Sequence, residues 1–114
     1  MKERRKFNRK DLAFFTRLFD RDNGQLLGHL ANLTAEGAMI ISEEPVETDR
    51  VYRLHMDLPE EEFGKDHLDF EAKSIYCQPD ITPQFYTTGF QFIRTSPGDI
   101  EIIESIITEY GIRN

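Results

Sequence analysis

Short apolar and polar runs alternate along most of the chain. The pattern is cleanest after Val51, where Tyr52, Leu54, Met56 and Leu58 share one parity and Arg53, His55 and Asp57 hold the other. A period of two marks a strand with one face buried and one face wet. Leu12 to Phe19 (LAFFTRLF) is too short and too aromatic to favour helix, and Asp20, Asp22, Asn23 and Gly24 close it with turn chemistry. Gln25 to Leu33 then resumes, which predicts a hairpin. The register of this second run is open, because Leu26 and Leu30 have one parity and Leu27 and Leu33 the other. Gly37 to Ser42 (GAMIIS) reads as a third strand and Val51 to Leu58 as a fourth, while the acidic stretch Pro59 to Asp66 reads as an exposed loop. His67 to Gln78 alternates through Leu68, Phe70 and Ala72 and then switches parity at Ile75 and Cys77, so a bulge is expected near Lys73 or Ser74. Phe85 to Thr95 completes six strands.

Ser96 changes the pattern. Ser96, Pro97 and Asp99 form a capping sequence, and Ile100, Ile103, Ile107 and Tyr110 follow at helical spacing, with Ile106 widening the stripe and Gly111 ending it. Six short strands without helical crossovers, followed by one amphipathic helix, predict an antiparallel β-barrel plus a C-terminal α-helix. The expected organisation is a single domain over 1–114, with an arm at 1–11, the barrel at 12–95 and the helix at 96–111.

At 114 residues, with 39% hydrophobic and 31% charged positions, the chain fits one globular domain. Its charge is unevenly placed. Residues 1–10 (MKERRKFNRK) hold six bases and one acid, while the remainder carries eight bases against twenty acids. A net charge of −7 argues against binding duplex DNA or an anionic membrane, so any anion contact is local to the arm. The single cysteine, Cys77, excludes an internal disulfide and suggests a reducing, cytoplasmic setting. No apolar run approaches the roughly 20 residues of a membrane span.

Little here suggests catalysis. His29, His55 and His67 lie in separate segments without metal-ligand spacing, and Glu60, Glu61 and Glu62 lack the alternating oxygen ligands of a calcium loop. No nucleophile–base pair and no phosphate-cradling glycine loop is present. The expectation is no enzyme, no metal and no cofactor. Two patterns remain: Arg4-Arg5-x-x-x-Arg9 in the arm, and Asn32-x-Thr34-x-x-Gly37 between the second and third strands. Arginine forks suit phosphate oxygens and guanine edges. Asn32 and Thr34, two apart, leave a strand on one face with an amide and a hydroxyl, and Gly37 offers a positive φ or a close backbone approach.

In this order and at this spacing, the two patterns resemble the PilZ domain family, bacterial receptors for the second messenger cyclic di-GMP. RRKFNR matches the family's RxxxR arm, NLTAEG its [D/N]xSxxG motif, and YTTGFQF its late-strand Gly-aromatic-x-Phe signature. The resemblance covers nearly the whole chain and implies a six-stranded barrel with a C-terminal helix. It further implies that Arg5 and Arg9 clasp phosphates and guanine edges, that Asn32 and Thr34 bond guanine, and that Gly37 lets the backbone close on the ligand. The doubled arginine at Arg4 accompanies an intercalated ligand dimer in the family. Thr34 departs from the usual serine but keeps the hydroxyl. The implied role is a receptor or adaptor acting through a separate downstream protein. Two other readings compete: a single-stranded nucleic-acid module stacking bases on Phe7, Phe14 and Phe15, and an adaptor that binds protein without a ligand.

Overall fold

The computed structural model describes residues 16–58 and 60–110. Alternating burial builds six strands: β1 (Arg17–Asp20), β2 (Leu26–Leu33), β3 (Gly37–Ser42), β4 (Arg50–Asp57), β5 (His67–Pro79) and β6 (Tyr86–Arg94). Each pairs antiparallel with its neighbours in the order β1-β2-β3-β6-β5-β4, and β4 returns to β1. The result is a closed six-stranded antiparallel barrel, as expected from the sequence. Closure removes the unpaired edges that an open sheet would expose. Leu18, Leu33, Ile40, Leu54, Met56 and Leu68 are fully buried inside it. Tyr52 meets Phe90 edge-on at 5.7 Å, and Phe70 meets Phe92 edge-on at 5.0 Å, geometries that aromatic quadrupoles favour.

Two bulges resolve the ambiguous registers. The β2–β3 ladder shifts between Leu30 and Asn32, so Leu30 and Leu33 both turn inward although their parities differ. The β5–β6 ladder shifts between Ser74 and Tyr76, next to the expected position, which leaves Ile75 outward and packs Cys77 against the core. Ser74 is fully buried, and its hydroxyl donates to the Glu47 carbonyl at 2.7 Å while accepting from the Arg50 amide at 3.2 Å.

The helices differ from expectation in detail. The stretch expected as an exposed loop contains one helical turn, α1 (Glu60–Phe63), closed where the Gly64 amide donates to the Glu60 carbonyl at 2.9 Å with Gly64 at φ +78°. Phe63 packs against the core, and this anchors the turn. The C-terminal helix α2 (Pro97–Tyr110) is capped as predicted, the Asp99 amide donating to Ser96 Oγ at 3.1 Å. Its buried stripe is rotated, however: Ile103 and Ile106 are 1% exposed, Ile102 and Ile107 flank them, and Ile100 is exposed. Among the described residues no helix is long and apolar enough to cross a membrane.

Candidate ligand-binding site

Asn32 lies near the end of β2, Thr34 on the tight connection to β3, and Gly37 opens β3. The Thr34 amide donates to the Gly37 carbonyl at 2.9 Å, closing the turn. The Thr34 hydroxyl accepts from the Glu36 and Gly37 amides, each at 3.2 Å, and lies 3.4 Å from the Gly37 carbonyl. Serine and threonine hydroxyls commonly stabilise turns in this way. The hydroxyl expected to meet a guanine is therefore engaged in shaping the turn. Asn32 remains paired in the ladder opposite Met39, and its Oδ1 accepts from the Leu33 amide at 2.9 Å. Its two amide N–H donors make no hydrogen bond among the described residues.

Gly37 owes its identity to packing. Its φ is not positive, but a Cβ built there would collide with the Phe90 carbonyl and press on Gln91. The start of β3 thus lies hard against β6, where Gly37 pairs with Gln91 and the Phe92 amide donates to the Glu36 carbonyl at 2.9 Å. Of the two options left open by the sequence, close backbone approach is the one used, and the approach is to β6. Gly89, in the late-strand signature, has a parallel reason: its face is covered by the Tyr76 ring.

The described chain begins at this same end of the barrel. β1 runs antiparallel to β2, with Arg17 opposite His29, and the Leu30 amide donates to the Thr16 carbonyl at 2.9 Å. Thr16 is thus bonded two residues before Asn32 on β2. Arg4, Arg5 and Arg9, like Phe7, Phe14 and Phe15, lie outside the described residues. Arg9 precedes Thr16 by seven positions.

Sequence spacing overlooked one gathering of side chains. His55 and His67 are not isolated from each other: the β4–β5 pairing stacks their rings with centroids 4.4 Å apart, beside Asp57, Asp66 and Asp69. The hydrogen bond from His67 holds the Asp66 carboxyl below its ordinary range. The signal was present in the sequence as odd-numbered polar residues on two strands, but it needed their register to be read.

Comparison with known proteins adds three findings. The family model described as the PilZ domain matches residues 3–109. Among solved structures, the fold is similar to the Bacillus subtilis inhibitor of motility (MotI/DgrA), with a TM-score of 0.63 and 16% identity, over 82% of this chain and 44% of that one. At that identity the likeness concerns the fold alone, and this chain spans less than half the length of that protein. No curated protein matches the chain.

Proposed function

The chain belongs to the PilZ domain family, whose members are binding and adaptor domains for cyclic di-GMP, and from that premise we propose that it is a cyclic di-GMP receptor whose arginine arm is ordered by the ligand. Arg5 and Arg9 clasp phosphates and guanine edges, and Asn32 offers its amide N–H donors to guanine from the barrel. Thr34 serves by holding the turn rather than by a base contact, because its hydroxyl is already bonded to Glu36 and Gly37. The observation that carries this reading is the Leu30–Thr16 backbone bond, which brings the arm's attachment point to the end of β2 that carries Asn32.

Energetics require the contacts to form together. Ordering the arm costs roughly 1–2 kcal/mol per residue fixed, while each charged hydrogen bond returns about 1.5–3 kcal/mol. Losing one arginine therefore removes a cooperative part of the clasp. Arg5→Ala or Arg9→Ala is expected to weaken cyclic di-GMP binding by about ten- to a hundredfold in calorimetry. Unchanged affinity in both variants would discard the clasp. The bound surface around the arm is then the signal offered to a downstream protein.

A further inference from the structure

On the wall of the barrel away from the β2–β3 turn, we propose that His55, His67 and Asp69 form a binding site for a divalent transition-metal ion of the zinc class. The proposal does not depend on the nucleotide reading. Strand register creates the site: His55 lies opposite Asp69 and Asp57 opposite His67, and all four occupy the outer face. Their inner neighbours Leu54, Met56, Leu68 and Phe70 are at most 4% exposed, so the backbone beneath is held by the core.

The ring nitrogens converge on carboxylates. His55 Nδ1 lies 3.2 Å from Asp69 Oδ1, and His67 Nε2 lies 3.6 Å from Asp69 Oδ2. The remaining ring nitrogens face other carboxylates, His55 Nε2 at 3.5 Å from Asp57 Oδ1 and His67 Nδ1 at 2.7 Å from Asp66 Oδ1. Two of the four approaches are hydrogen bonds, His67 Nδ1 with Asp66 and His55 Nδ1 with Asp69, and two neutral imidazoles satisfy both by donating one N–H each. His67 Nε2 then carries a lone pair that faces Asp69 Oδ2, a repulsive approach that a cation between them makes attractive. His55 joins it by moving its proton to Nε2, which faces Asp57, so that Nδ1 is free to ligate. A single divalent ion then meets both rings and the Asp69 carboxylate.

The surroundings match metal chemistry on a second count. Ligating histidines characteristically donate their other N–H to a carboxylate, which fixes the tautomer and strengthens the ligand. Here His67 does, to Asp66 at 2.7 Å, and His55 Nε2 faces Asp57 at 3.5 Å as the corresponding partner. The three donor groups lie within 4.8 Å of one another. A tetrahedral site with bonds of about 2.0–2.2 Å wants donors about 3.3–3.6 Å apart, so a modest rotation of half-exposed side chains closes the shell and leaves a position for water. Two imidazoles and one carboxylate suit zinc, nickel or copper rather than magnesium or calcium, which prefer oxygen ligands. Two arginines border the cluster. Arg17 bonds Asp57 at 2.9 Å and keeps it in the outer role, while Arg21 approaches Asp69 only at 3.7 Å and is displaced by the ion.

The test is zinc calorimetry on the tag-free full chain after chelator treatment, with His67→Gln, Asp69→Asn and His29→Asn alongside. The expected result is one ion per chain, at least about tenfold weaker affinity in the first two variants, and wild-type affinity in the third. Cobalt should give visible absorption bands that His67→Gln loses. No zinc uptake by the wild-type chain overturns the proposal regardless of how the variants fold. Uptake that His67→Gln and Asp69→Asn leave unchanged overturns it as well.

Discussion

At the scale of single residues, two glycines of the family motifs are explained by what lies beside them. Gly37 faces backbone, the Phe90 carbonyl, which cannot retreat without breaking the β3–β6 ladder. Gly89 faces the edge of the Tyr76 ring, and Tyr76 is 40% exposed, so it can swing outward. Gly37→Ala is therefore expected to destabilise the fold by about 2–3 kcal/mol, and Gly89→Ala by about 1 kcal/mol, as overpacking against rigid and yielding neighbours. Urea unfolding of the two variants checks the order, and equal losses would contradict it. Thr34 teaches the converse lesson. Its type and position are legible in the motif, yet the commitment of its hydroxyl to Glu36 and Gly37 is a property of the folded turn.

At the scale of elements, connections between strands carry much of the polar structure. The link from β5 to β6 is organised by Asp80, which accepts from the Thr87 hydroxyl at 2.7 Å and from the Thr82 amide at 3.0 Å. Those bonds, chiefly the Thr87 hydroxyl, hold the Asp80 carboxyl below its ordinary range. A lowered folded-state pKa stabilises above the unfolded value of about 3.9, and the contribution fades as pH falls through the folded value. Asp80→Asn should thus have a lower urea midpoint than the wild type near neutral pH, with the gap closing in acid. A gap that persists unchanged in acid would contradict the carboxylate's role. Strand positions and the Ser96 cap could be read from period and turn chemistry. The rotation of the α2 stripe toward Ile103 and Ile106 could not, because five isoleucines offer several overlapping faces and the barrel selects one.

At the scale of the whole molecule, the charge is separated along the chain. An arm of six bases and one acid is attached to a remainder with eight bases and twenty acids. That remainder repels long polyanions. If the proposed function holds, the affinity for cyclic di-GMP should fall only shallowly with salt, since few phosphates are neutralised. A steep slope, or tighter binding to single-stranded oligonucleotides, would favour the nucleic-acid reading instead. Antiparallel pairing of consecutive strands also builds local chemistry. It brings Thr16 beside Leu30, two positions before Asn32 on β2, and it sets His55 against His67 on the β4–β5 wall.

The sequence by itself determined the six strands, the terminal helix, the barrel class and the two motifs of the PilZ family, because alternation, turn residues and caps act over a few neighbouring positions. Tertiary structure alone decided the bulge that turns both Leu30 and Leu33 inward, the clash that makes Gly37 a glycine, and the meeting of His55, His67 and Asp69. Each depends on strand register. A shift of one residue would send every side chain to the other face, and register is settled only when the whole core closes.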